Sequence, residues 1–206
     1  MSSAEDQNKE HIEEDPDADL ISAFKSGNTH AFDQLVLRYK DRIFNLCYRS
    51  LGDYQEAYDT AQEIFIKVYK NLQSFRGEAS FFTWLYTIAG NTCKNRLKSL
   101  EYRYRNKNVS LNNPHNQKDG NQEKDIEDES GSPLVVLEKK EKMKLIQSAI
   151  DSLPAEQKLV VILRDIEGLS YEEIINVTGH RLGTVKSKLS RARLILREKL
   201  RGIIKG

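Results

Sequence analysis

Three clusters of side chains have the types and spacing to do chemistry. Near the C-terminus, Lys186, Ser187, Ser190 and Arg191 fall on the outer side of a predicted helix, with Lys188 and Arg193 at its flanks. Long cations reach phosphates and base edges, and short hydroxyls leave room for a close approach, so such a face suits the major groove of DNA. The second cluster is FRGEASFFTWLYTIAGNTCKNRLKS, which supplies Phe75, Phe81, Phe82, Trp84 and Tyr86 and then Asn91, Lys94 and Arg96. Aromatics interleaved with cations can stack on unpaired bases and hold the adjoining phosphates. Trp84 shares helical spacing with Leu85 and Ile88 and reads as core; Asn91, Lys94 and Arg96, with Phe75 and Phe82 after them, are the candidates for touching DNA. The third cluster is Asp59, Gln62 and Glu63, three and four apart on one helix face, beside an apolar stripe of Ile64, Val68 and Leu72. Taken alone, that acidic-amide patch is an ordinary solvated face.

Helices must position all three. From Asp17 to Leu100 apolar residues recur at intervals of three and four, as in Ala31, Leu35, Tyr39, Ile43 and Leu46, and Gly27, Gly52 and Gly77 divide the segment. Residues 103–133 are almost devoid of large apolar side chains and read as a flexible acidic linker. Periodicity returns at Leu134, with Leu137, Met143, Ile146 and Ile150 on one face, and Pro154 opens another helix. Ser170 and Glu173 form a capping box that starts a helix at Tyr171. Gly179 supplies a tight turn, and a second helix begins near Gly183 and Thr184. Val185, Leu189, Ala192, Leu196 and Leu200 form its inward stripe. Two short helices across such a turn make a helix-turn-helix. A basic helix alone would equally suit solubility or a membrane surface; capping box, turn glycine and inward stripe together favour DNA. The expected fold is all-α: an acidic disordered leader over 1–16, a helical domain over 17–102, the linker over 103–133 and a helix-turn-helix domain over 134–206.

Charge is segregated along the 206 residues, although 32 Lys and Arg against 31 Asp and Glu leave a formal net charge of only +1. Residues 1–20 hold eight acids and one base, and residues 115–133 six acids and two bases. Residues 94–107 hold six bases and one acid, and residues 180–206 nine bases and one acid. Near-neutrality therefore does not exclude nucleic acid. No apolar run approaches the roughly 18 residues of a membrane span, and the N-terminus is unlike a secretion signal, so a cytoplasmic chain with no membrane insertion of its own is expected. Cys47 and Cys93 are too few for a disulfide framework, and the four histidines are scattered. Neither metal nor cofactor is expected. No phosphate loop, nucleophile constellation or acid–base pair stands out, which argues against an enzyme.

The run LPAEQKLVVILRDIEGLSYEEI, continued by GTVKSKLSRAR, closely resembles the promoter-reading domain of bacterial sigma factors of the extracytoplasmic-function (ECF) group. That resemblance assigns Lys186, Ser187, Lys188, Ser190 and Arg191 to the minus-thirty-five promoter element. Ile175, Thr178 and the pair His180-Arg181 depart from the usual pattern, which has alanine, leucine and an apolar-proline pair there. GDYQEAYDTAQEIFIKVYKNLQSF resembles the family's polymerase-binding helix, which implies that Asp59, Gln62 and Glu63 contact the β′ clamp helices of core RNA polymerase. The aromatic-basic segment is similar to the part that reads the minus-ten element and opens the strands. This implies a role for Phe75, Arg76, Phe82, Asn91, Lys94 and Arg96, with the loop 76–80 cradling a flipped base. The two matches occur in the family's order. Core RNA polymerase (β′ clamp helices and β flap), promoter DNA and an anti-sigma factor are the partners the resemblance implies. The linker acids Asp125, Glu127, Asp128 and Glu129 would thread the polymerase's nucleic-acid channels. The alternative is a conventional helix-turn-helix transcriptional regulator, which explains residues 168–201 but leaves the other two clusters without a use.

Overall fold

The computed structural model describes residues 15–110 and 133–201. Among the described residues there are eight α-helices and no strand: α1 (Ala18–Lys25), α2 (His30–Leu51), α3 (Tyr54–Leu72), α4 (Phe81–Ser110), α5 (Pro133–Asp151), α6 (Ala155–Val161), α7 (Tyr171–Thr178) and α8 (Leu182–Lys199). A π-helical turn, Ile162–Ile166, extends α6. The all-α expectation holds. Helix α4 continues beyond 102 to Ser110, because no glycine or proline intervenes to stop it. The linker acids Asp125, Glu127, Asp128 and Glu129 lie outside the described residues.

The threefold and fourfold spacing of α2 and α3 becomes burial. Ala31, Leu35, Tyr39, Ile43 and Leu46 on α2 are buried, as are Ile64, Val68 and Leu72 on α3. Each large side chain removed from water contributes about 1.5–3 kcal/mol. Left-handed turns at Gly52 (φ 75°) and Gly77 (φ 74°) reverse the chain where the sequence placed breaks. On α5 the expected inward face is only partly realised: Ile150 is buried, whereas Met143 is 48% exposed. Helix α5 packs against α2 and α8, and its last residue, Asp151, pairs with Lys158 on α6.

The beginning of α4 is held by one residue far away in sequence and one just before it. Asp15 Oδ2 accepts the Phe81 N–H at 2.6 Å, and Ser80 Oγ accepts the Thr83 N–H at 3.2 Å. Both satisfy first-turn donors that a helix leaves unpaired. Asp17, fully buried, accepts from Tyr39 Oη at 2.5 Å and pairs with Arg38. Burial, with the Asp17 hydrogen bond next, pushes the Tyr39 hydroxyl above its ordinary range. The acidic stretch at the N-terminus thus ends in two carboxylates built into the fold.

The two helical modules do not hang apart. Buried residues of α2 and α4 form one continuous apolar cluster with those of α5 to α8. Gly90, a third of the way along α4, makes this closeness possible: a Cβ there would stand 3.0 Å from Val177 Cγ1 on α7. Around that contact, Tyr86 Oη donates to Glu167 Oε2 at 2.5 Å, and Thr83 Oγ1 to Glu173 Oε1 at 3.2 Å. Arg42 adds an ion pair to Glu167 at 3.5 Å. Gln147 and Lys158 reach back to the backbone oxygens of Arg49 and Ser50 at the end of α2.

Candidate polymerase and nucleic-acid interfaces

Helix α3 carries the acidic-amide patch outward. Its N-terminus is capped by Asp53, whose side chain accepts the Glu56 N–H at 2.8 Å. Ala57, Thr60, Ala61, Ile64 and Val68 are buried, leaving Asp59, Gln62 and Glu63 together on the exposed side. Gln55 Nε2 donates to Asp59 Oδ1 at 3.0 Å, and Lys67 pairs with Glu63 at 2.7 Å. Such solvated one-turn pairs are each worth a few tenths of a kcal/mol, so they yield to a cationic partner at little cost. Tyr58, Ile66 and Tyr69 are also exposed on α3 and add apolar surface to the same helix.

The helix-turn-helix forms as its capping signals dictate. Ser170 Oγ accepts the Glu173 N–H at 3.1 Å, and Glu173 Oε2 accepts the Ser170 N–H at 2.7 Å. Gly179 takes φ 70° in the turn. Val185, Leu189 and Ala192 are buried, which turns Lys186, Ser187, Ser190 and Arg191 to solvent. Arg193 is clamped by both oxygens of Asp165, at 2.5 and 3.0 Å. Lys188 behaves differently from its neighbours: its side chain is 19% exposed and pairs with Glu156 on α6.

The aromatic-basic cluster splits into parts with different surroundings. Phe75 is buried, its ring packed against Phe81 and Trp84 with centroids 6.2 and 5.0 Å away. Arg76, beside it, is exposed in the loop. Phe82 is half-buried under the Arg42 guanidinium, 4.8 Å from its ring centroid, and contacts Tyr86 at 4.4 Å. Asn91 is exposed at the rim of the contact between modules, and Lys94 stands 4.0 Å from Glu156. Arg96 faces α3 and pairs with Glu56. The fold therefore brings Asn91, Lys94 and Lys188 to one seam, and leaves Arg76, Lys186, Ser187, Ser190 and Arg191 open.

Sequence reasoning missed Glu156, Glu167, Tyr86 and Arg42 as members of this seam. Its one visible trace in the sequence was Gly90, a glycine inside an otherwise uninterrupted helix. Thr178 and His180, two of the departures from the sigma-factor pattern, line the same seam. Burial, followed by repulsion from Lys188, depresses the His180 imidazole pKa below its ordinary value; Glu156 raises it and Lys94 lowers it further. The Lys188 hydrogen bond holds the Glu156 carboxyl below its usual range. Both groups bind protons less readily in the folded contact than in the unfolded chain. Their contribution is present above the unfolded values and is lost as pH falls, beginning near pH 6.5 for His180 and lower for Glu156. Acidification from pH 7 to 5 should therefore speed backbone hydrogen exchange around 177–180, relative to α3 and after correction for the intrinsic rate. Equal protection ratios at both pH values would contradict this.

The family profile described as Sigma-70 region 2 matches residues 35–102, and Sigma-70, region 4 matches residues 143–196. The RNA polymerase sigma-H factor of Pseudomonas aeruginosa is 37% identical, covering 94% of this chain and 98% of its own. The ECF RNA polymerase sigma-E factor of Escherichia coli is 35% identical over 90% of this chain and 95% of its own. The chain belongs to the ECF sigma factors. It is a transcription initiation factor that directs RNA polymerase to promoters, and not an enzyme. Both regions are present, so the conventional regulator reading is disfavoured. Solved structures share the fold of this ECF sigma factor. A sigma factor RpoE from Bartonella quintana, solved with the anti-sigma factor NepR, aligns with a TM-score of 0.62 at 22% identity, covering 82% of this chain and 96% of its own. CnrH, solved with the cytosolic domain of CnrY, aligns at 0.63 and 24% identity, over 90% and 97%. Among the described residues no helix is long and apolar enough to cross a membrane.

Proposed function

We propose that this sigma factor divides its work among three surfaces. Asp59, Gln62 and Glu63 on α3 bind the β′ clamp helices of core RNA polymerase. Asn91, Lys94 and Arg96, with Phe82 and the loop residue Arg76, engage the minus-ten element and its opened strand. Phe75 serves from beneath, holding the loop against Phe81 and Trp84. Lys186, Ser187, Lys188, Ser190 and Arg191 read the minus-thirty-five element, and the C-terminal module also meets the β flap. Linking two modest DNA sites in one chain raises overall affinity without strong contacts at either. The domain limits proposed for this work are 17–102 and 134–206, flanked by the leader over 1–16 and the linker over 103–133. The chain acts in the cytoplasm, and its anti-sigma partner is a protein of the kind solved with its structural relatives.

The observation that carries this reading is the exposed row of Lys186, Ser187, Ser190 and Arg191 on a capped helix-turn-helix, in the same chain as an exposed acidic row on α3. Run-off transcription over a promoter library tests it. The chain with core polymerase alone should initiate at a subset of promoters, whereas transcription only on addition of a second sigma factor would refute it. Within that assay, Lys186→Ala and Arg191→Ala should each weaken promoter binding by the holoenzyme about tenfold. Where the lost contact is to phosphate, the log–log salt dependence should also flatten by about 0.9.

A further inference from the structure

We infer that α1 is the frame of the strand-opening loop: Asp15 and Lys25 hold the two ends of 73–81 and so set, without touching DNA, how readily an unpaired base is captured there. This rests on the assignment of that loop to the opened minus-ten strand. Asp15 lies 66 positions from the α4 residue it caps, and its carboxylate is shared. Its Oδ1 accepts the Asp17 N–H at 3.1 Å ahead of α1, and its Oδ2 accepts the Phe81 N–H at 2.6 Å. At the other end of α1, Lys25 Nζ donates to the Phe75 carbonyl and stands 5.8 Å from the Phe75 ring centroid. Gln73 Nε2 returns a bond to the Lys25 carbonyl at 3.2 Å. One carboxylate therefore serves the starts of two helices, and one ammonium fixes the carbonyl from which the loop departs.

The frame is rigid where the loop is open. Ile21 and Phe24 bury the inner side of α1, and Asp17 is locked to Arg38 and Tyr39. The Phe24 ring packs on Phe32 and Tyr69, with centroids 5.8 and 5.3 Å away. The eight residues of α1 span about 12 Å, so its two anchors are held a fixed distance apart. Between them Arg76, Gly77, Glu78, Ala79 and Ser80 are all exposed, and a Cβ added to Gly77 would meet nothing within 4 Å among the described residues. A loop with a fixed base and an open mouth can receive a group without first being ordered. Taking a base out of its stack costs free energy, and a loop that must be ordered on binding adds to that cost. Asp15 and Lys25 remove the second part, which makes them positioning residues for base capture.

Holoenzyme assembled from core polymerase and the full-length chain tests this. With the wild-type chain, a fluorescent adenine analogue that brightens when unstacked, placed in turn along the unpaired minus-ten strand of a forked promoter, should brighten at the captured position. Asp15→Ala and Lys25→Met should each weaken binding of the intact fork about tenfold. On a fork with an abasic site at that position the loss should shrink to less than about twofold, since no base remains to be captured. Asp15→Asn keeps an acceptor oxygen and should stay within about threefold of wild type on the intact fork. Competition for core polymerase and helix content by circular dichroism should be unchanged in every variant. Unchanged affinity of Asp15→Ala and Lys25→Met for the intact fork would overturn the inference. So would an equal loss on intact and abasic forks, which would leave the two residues as supports of the fold alone. If no position brightens with the wild-type chain, the loop's assignment to the opened strand falls and takes the inference with it.

Discussion

Phe81→Ala should destabilise the chain by about 3–5 kcal/mol and abolish promoter opening at temperatures where the native protein is active. Phe81 is 1% exposed, and its ring lies 5.6 Å from Tyr39, 6.2 Å from Phe75 and 5.9 Å from Trp84. Removing it leaves a cavity where α2, α4 and the loop before α4 meet. Its position makes the loss functional as well as structural. The Phe81 N–H is the donor that Asp15 receives at the first turn of α4, so loosening this ring frees the helix that carries Asn91, Lys94 and Arg96. Urea denaturation monitored by far-ultraviolet circular dichroism measures the effect, with Phe81→Leu as the milder comparison. A cost under about 1 kcal/mol would mean that the aromatic cluster does not secure α4.

The second large effect is on assembly. Combining Asp59→Lys, Gln62→Ala and Glu63→Lys should weaken binding to core polymerase by about 100-fold or more. Two reversed charges facing a basic partner cost several kcal/mol, and each 1.4 kcal/mol is tenfold. The fold should survive, since all three side chains are exposed and the inward face of Ala57, Thr60, Ala61 and Ile64 is untouched. Competition against the wild-type chain for a limiting amount of core enzyme reads the affinity, and a thermal melt confirms folding. Binding within roughly threefold of wild type would remove α3 from the polymerase interface.

The local features of this protein were legible in its sequence because local rules govern them. A helix face repeats every three to four residues, so Leu35, Tyr39, Ile43 and Ile64 announced their burial. The box of Ser170 and Glu173 and the glycine at 179 concern atoms a few bonds apart, and they formed as read. The outward direction of Lys186, Ser187, Ser190 and Arg191 followed from the inward stripe of Val185, Leu189 and Ala192. Met143 fails the same reasoning because periodicity names a face without saying whether a neighbour arrives to cover it. Asp15 read as part of the acidic leader and Asp17 as the first residue of the helical domain, neither with a partner; only the distant Phe81, Arg38 and Tyr39 supplied them.

By itself, then, the sequence determined an all-helical chain with a capped helix-turn-helix, an acidic row on α3 and an aromatic-basic α4. Each of these depends on short-range geometry and on the chemistry of its own side chains. Tertiary structure alone decided that the modules close on each other, that Phe75 is core, and that Lys94 and Lys188 share Glu156. Those outcomes depend on how surfaces fit across dozens of residues. A hydrogen bond from Tyr86 to Glu167 spans 81 positions, and no periodicity within either segment encodes its partner. Gly90 is legible as an exception to helix propensity, but what fills the space above it is set by Val177 on the other module.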